Sequence, residues 1–153
     1  MYKHILVATD GSELSARAIV EAVKLAKCTG AKLTGFYAAR QYMPPYYAEG
    51  AIVGPGAGAW YVPKEEYEAA VAKEAAGYLA VVTREAQKAG VAATISFESN
   101  DFPAQAILDT AKKSDCDCIV MASHGRHGVS GFLLGSETNK VLTHGTLPVL
   151  VVR

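Results

Sequence analysis

Two groups of residues stand where folded proteins commonly hold phosphate and sugar. The first is Asp10-Gly11-Ser12-Glu13, directly after the apolar run His4-Ile5-Leu6-Val7-Ala8-Thr9. The second opens at Met121 and reads Ser123-His124-Gly125, then nine residues, then Gly135-Ser136. Glycines let the backbone approach an anion closely and take φ > 0, and the first amides of a helix lack intrahelical acceptors and point ahead of it. A strand running into glycines and then into a helix start is therefore a phosphate cradle. A glycine-rich connection without a ligand has the same spacing, so spacing alone leaves both readings open. Asp10 likewise either accepts hydrogen bonds from a sugar hydroxyl pair or caps the turn that follows it.

The elements that must position these groups follow from hydrophobic period. His4–Thr9 is a nearly continuous apolar run, as expected of a central parallel strand covered on both faces. Ser12 and Glu13 supply helix-start chemistry, Leu14, Ala18, Ala22, Leu25 and Ala26 recur at helical spacing, and Thr29-Gly30 stops the helix. Lys32–Ala38 predicts a second strand, alternating enough to lie off the sheet centre. From Ala39 to Val62, Pro44, Pro45, Pro55 and four glycines are scattered among Tyr42, Tyr46, Tyr47, Trp60 and Tyr61, which excludes a long regular element. Such a loop either covers a ligand or partner or packs down on its own domain.

Lys64–Ala89 carries the longest helical pattern, between Pro63 and Gly90, with Val71, Ala75, Tyr78, Leu79, Val82 and Ala86 on one side. Val91–Phe97 predicts an edge strand, and Asn100-Asp101-Phe102-Pro103 opens a helix bearing Ile107, Leu108 and Ala111. Cys118–Ala122 predicts the fourth strand, Gly135–Thr143 the fourth helix and Pro148–Val152 the fifth strand. Strands alternating with helices predict an α/β sandwich with a parallel sheet. In such sheets ligands lie beyond the carboxyl ends of the strands, where the strand order reverses. If the first and fourth strands are neighbours there, Asp10 and the Gly125–Ser136 loop face one crevice.

Composition sets the outer limits. At 153 residues, half of them hydrophobic, the chain has the size of one domain with an adequate core. Fifteen acidic and fifteen basic residues balance, so no global field attracts nucleic acid or anionic lipid. No apolar run reaches the length of a membrane span, and Met1-Tyr2-Lys3-His4 leads into a strand without a signal-peptide layout, which reads as a cytoplasmic address. The three cysteines, Cys28, Cys116 and Cys118, read as small apolar filler, and Cys-x-Cys lacks the usual zinc spacing.

Thr-Asp-Gly-Ser at 9–12, Ser-His-Gly-x9-Gly-Ser at 123–136 and Pro-Val-Leu-Val-Val-Arg at 148–153 together resemble the universal stress proteins. The resemblance covers residues 1–153 as a single domain, with 39–62 its least matched part. It implies a three-layer α/β sandwich with a five-stranded, mainly parallel, Rossmann-like sheet of the adenine nucleotide alpha hydrolase type, in strand order 3-2-1-4-5. The nucleotide-binding branch carries G-x-x-G-x9-G-[ST], which maps onto Ala122, Gly125, Gly135 and Ser136, with alanine in place of the first glycine. That methyl is harmless if the backbone is extended, as the strand run predicts.

Similarity to the family implies that Asp10 meets a ribose and Ala38 the adenine edge, with Met121 flanking base or sugar. Gly125, Gly135 and Ser136 would hold phosphates, Thr138 and Arg126 would add to them, and Ala8 and Thr9 would line the adenine pocket through their backbone. The implied ligand is ATP, or ADP or AMP, with Mg2+ held through the phosphates. The implied partner is a second copy, met along Val149–Val152, where an unpaired apolar edge invites pairing. Three functional classes follow: a nucleotide-occupied stress-response protein with little turnover, a slow ATPase, and a dimerising module without nucleotide. The first is the expectation. Efficient phosphoryl transfer needs a placed base and a held metal, whereas the loop offers His124, Arg126 and His127 without clustered acids. His4 and His144 have no evident partners in the sequence.

Overall fold

The computed structural model describes residues 1–43, 62–125 and 134–153. Five strands, β1 (His4–Ala8), β2 (Lys32–Ala39), β3 (Ala93–Ser99), β4 (Cys118–Ala122) and β5 (Val149–Val152), alternate with four helices among the described residues. The helices are α1 (Glu13–Thr29), α2 (Lys64–Ala89), α3 (Pro103–Lys113) and α4 (Ser136–His144). The strands form one sheet in order β3-β2-β1-β4-β5. Every neighbouring pair is parallel, so the sheet is wholly and not just mainly so.

Two apolar layers sandwich the sheet. Ile5 and Val7 of β1, Leu33 of β2 and Cys118 and Val120 of β4 pack on α1 and α2 through Ala18, Ile19, Ala22, Val82 and Ala86. Leu6, Phe36, Ile119 and Met121 face the other way, onto Ala104, Ile107 and Ala111 of α3 and Val141 of α4. Burial on both faces explains the unbroken apolar character of β1 and β4. It extends to β2, which is buried over most of its length and does not alternate as expected. Gly35 matters there: a Cβ would come within 2.9 Å of the Val82 methyls, so glycine lets α2 lie close on β2.

Helix ends follow the local chemistry. Ser12 Oγ accepts from the Ser15 amide at 3.1 Å to cap α1, and Gly30 and Gly90 close α1 and α2 in left-handed caps. Val91 donates its amide to Ala86 O at 2.9 Å and so belongs to the cap of α2, which starts β3 two residues later than the apolar pattern suggests. At the neck of the 44–61 stretch, Tyr42 Oη donates to Val62 O at 2.9 Å and Tyr67 Oη donates to Arg40 O at 3.0 Å. The rings of Tyr42 and Tyr67 lie 5.4 Å apart. The aromatics at 46, 47, 60 and 61 lie outside the described residues.

Two readings of individual side chains change. Cys28 is exposed and so fills no apolar space, whereas Cys116 and Cys118 are buried. Burial pushes the Cys116 thiol up to about 11 and raises Cys118 as well, which suits inert packing groups. His4 does have a partner: its buried Nε2 meets Thr34 Oγ1 at 2.7 Å, and Thr34 Oγ1 meets Thr94 Oγ1 at 3.0 Å. This chain crosses β1, β2 and β3 near the amino ends of the strands.

Candidate functional site

The order of strands reverses between β1 and β4, since the chain moves outward through β2 and β3 and then returns to the other side of β1. Beyond the carboxyl ends of these two strands lies a cavity of about 530 Å³. Its size falls within the range of small-molecule sites.

One wall is the turn between β1 and α1. Asp10 Oδ1 accepts from the Ser12 amide at 3.0 Å, so Asp10 does serve the turn that follows it. Its second carboxylate oxygen, Oδ2, faces the opposite wall: an alanine methyl built at Gly125 would stand 2.6 Å from it. The two oxygens of this carboxylate therefore face different neighbours, the Ser12 amide and Gly125. Gly11 has φ +76°, and a Cβ there would run into the Tyr78 ring, so only glycine carries the chain past α2 at this point. Beneath the turn, Ser15 Oγ donates to Ser12 O at 2.9 Å, which leaves Thr9 Oγ1 to donate to Ser15 Oγ at 3.0 Å while accepting from the Gly11 amide at 3.2 Å.

The opposite wall comes from the end of β4 and the start of α4. Ala122 continues β4 in extended conformation, paired with Val152, and packs in the core on the α1 and α2 side. Ala122 O accepts from the buried Thr138 Oγ1 at 2.9 Å, which ties α4 to the strand end. The Gly135 amide donates to Ser123 O at 2.7 Å, and the Ser123 amide to Val152 O at 2.7 Å. Gly135 sits at φ −59°, ψ 155°, so its requirement is not positive φ but closeness: a Cβ would lie 3.1 Å from His124 Cα and 3.3 Å from Ser123 O. As N-cap it brings no side chain to occupy the first amides of α4, which begins at Ser136.

The cavity gathers Ala8, Thr9 and Asp10 from the first turn and Ala38 from the end of β2. Met121, Ala122, Gly125, Gly135, Ser136 and Thr138 line its other side. Arg126 lies outside the described residues. The structure adds residues that the motifs did not indicate. Pro103 and Ile107, one turn apart at the start of α3, and Phe36 of β2 form an apolar wall. Tyr37 lines the cavity too, with its hydroxyl donating to Glu74 Oε2 at 3.0 Å, and Tyr78 donates to Glu74 Oε1 at 2.6 Å. The two rings meet edge to face at 5.2 Å. His124 also lines it, its Nδ1 at 3.1 Å from Ser123 Oγ.

The charged lining among the described residues comprises Asp10, Glu137 and Arg40. Two groups near the amino ends of the strands, His4 and Asp117, have shifted pKa values. Burial, aided by nearby Lys32, lowers the pKa of His4. At Asp117 burial opposes the charge, but the Lys3 and His4 amides, donating at 2.8 and 3.0 Å, hold the carboxyl below its ordinary value. Among the described residues no group of three or more His, Cys, Asp or Glu side chains is placed to hold a metal ion, and no helix is long and apolar enough to cross a membrane. The arrangement suits a ligand with a flat apolar part against α3, hydroxyls toward Asp10 and an anionic end toward Gly135 and α4.

Comparison with known proteins agrees with this fold. The model of the universal stress protein family matches residues 1–153. The chain is 35% identical to universal stress protein YxiE of Bacillus subtilis over the full length of both. The solved structure of universal stress protein UspA from Lactobacillus plantarum superposes with a TM-score of 0.74 at 25% identity, covering 99% of this chain and 98% of that one. A universal stress protein crystallised in complex with cAMP superposes with a TM-score of 0.66 at 25% identity, over 99% and 97% of the two chains. With its sheet order, its paired motifs and its full-length relatives in agreement, the chain belongs to the universal stress protein family.

Proposed function

We propose that this chain binds an adenine nucleotide, ATP first and ADP or AMP next, in the crevice between the Asp10 turn and the Gly125–Ser136 segment. Occupancy then serves stress response or signalling in the cytoplasm, with little or slow hydrolysis. The observation that carries the reading is the convergence of Asp10 Oδ2 on Gly125 across the β1/β4 reversal, beside the uncapped start of α4. A carboxylate there accepts from a ribose hydroxyl pair, and the α4 amides with Ser136 receive phosphate. The base lies against Ala38, Ile107 and Met121, with the main chain of Ala8 and Thr9 at its edge. Gly135 keeps the tail close to the backbone, Thr138 braces it from Ala122 O, and Arg126 adds a cation. Mg2+ rides on the phosphates. The cAMP bound by a structural relative supports the choice of adenine.

Calorimetric titration with ATP, ADP and AMP, with and without Mg2+, together with phosphate release, tests this. Binding without release is expected; multiple turnovers would move the protein to the hydrolases, and absence of binding would leave a dimerising module. The second part of the proposal is a two-fold homodimer through β5, an edge strand with Leu150 41% exposed. Leu150→Glu should convert the dimer to monomer in sedimentation, and a monomeric parent protein would contradict this part alone.

A further inference from the structure

Among the described residues of the cavity wall, carboxylates outnumber cations. Among its described lining residues the carboxylates are Asp10 and Glu137, and Arg40 is the one lysine or arginine. Glu137 stands in the first turn of α4, beside Ser136. Both of its oxygens are engaged: Oε2 accepts from the Ala104 amide at 2.9 Å and Oε1 from Lys140 Nζ at 2.7 Å. α3 depends on the first contact, because its N-cap Phe102 makes no side-chain cap and Pro103 has no N–H. The carboxylate is therefore held in place at the helix end whose amides attract phosphate. Lys140 offsets it only in part, since its side chain is 53% exposed and its charge is screened.

We infer that Glu137 is a specificity-determining residue that grades nucleotides by the charge of their phosphate tail. A short tail, or one neutralised by a divalent cation, is favoured over a bare triphosphate. This rests on the nucleotide-binding reading above. Each added phosphate brings more charge toward a fixed carboxylate in a partly desolvated cavity, where Coulomb repulsion is several times stronger than in water. A Mg2+ ion on the phosphates cancels that repulsion.

Two substitutions separate charge from structure. Glu137→Gln removes the charge and keeps an amide oxygen for the Ala104 N–H, whereas Lys140→Met keeps the carboxylate and removes its partner. Dissociation constants for AMP, ADP and ATP, each measured by calorimetry in EDTA and in excess Mg2+, give the readout. E137Q should tighten metal-free ATP about tenfold, ADP less and AMP less than about twofold, and Mg2+ should shrink the difference. K140M should weaken metal-free ATP. An equal change for all three nucleotides, or both variants moving in the same direction, would overturn the inference and leave Glu137 as the cap of α3. If the unaltered chain bound no nucleotide, the binding reading would fall first and this inference with it.

Discussion

Replacing Gly125 with alanine probes whether Asp10 and the second loop really work as one seat. The new methyl would sit 2.6 Å from Asp10 Oδ2, so the carboxylate must retreat by roughly 0.8 Å to regain van der Waals spacing. Gly125 is not among the glycines with positive φ, so its backbone accepts alanine without strain. Retreat loosens the 3.0 Å bond from the Ser12 amide, at a cost of about 1 kcal/mol. The smaller conformational entropy of alanine in the unfolded chain offsets about 0.4–1 kcal/mol of this. Stability should therefore change by less than about 1 kcal/mol, or ~2–4 °C in Tm. Affinity should change much more. Losing a charge-assisted bond from a ribose hydroxyl costs about 1.5–3 kcal/mol, roughly ten- to hundredfold in Kd.

The assay is a double-mutant cycle with Asp10→Ala, read by calorimetric titration with ATP and by thermal melting. If Gly125→Ala acts through the carboxylate, it should cost little once that carboxylate is gone. Losses that simply add, to within about 0.4 kcal/mol, would refute the shared seat.

Gly135→Val should abolish nucleotide affinity, by at least ~100-fold, while lowering stability by only about 1–3 kcal/mol, because its γ-carbons crowd His124 and Ser123 O at the cavity wall. Calorimetry beside a melting curve checks it, and retained affinity would remove the phosphate cradle. Gly11→Ala forces φ +76° on an L-residue and drives its methyl into Tyr78, so a loss of roughly 2–5 kcal/mol in urea unfolding is expected, and a loss below about 1 kcal/mol would contradict the packing. His4, neutral against Thr34 with Lys32, Asp115 and Asp117 around it, has its pKa lowered on folding. The unfolded chain then binds the proton more readily, so this contribution is complete above the ordinary histidine value of about 6.5 and fades as pH falls through the folded value. Urea midpoints from pH 8 to pH 5 should fall more steeply for the parent than for His4→Asn; parallel curves would exclude His4 as the source.

Much of this architecture is written locally. Pro63 and Gly90 bracket α2, which spans Lys64–Ala89 as its punctuation predicts. Asp10, Gly125, Gly135 and Ser136, which line the cavity, each belong to a local pattern that can be read from sequence: a carboxylate past a strand, small residues, a helix start. Pro103, Ile107 and Phe36 belong to none, since they become a wall only when α3 is laid beside β2 and α4. Glu137 reads as an ordinary first-turn acid until the uncapped start of α3 is seen next to it. His4 has partners at positions 34 and 94, far along the chain, and only strand register unites them. Glycine at 135 is compatible in sequence with either a positive φ or a close approach; its φ of −59° leaves the close approach, to His124 and Ser123 O.

The tyrosine clasp at the base of residues 44–61 bears on how this domain diversifies. Because Tyr42 holds Val62 and Tyr67 holds Arg40, the two chain ends flanking that stretch are tied directly to each other. Its length is then no constraint on the sheet, for loop-closure entropy grows only slowly with added residues. A short connector or an entire foreign module could be spliced between the clasped ends, making this the natural place to graft a reporter onto the protein without retuning its core.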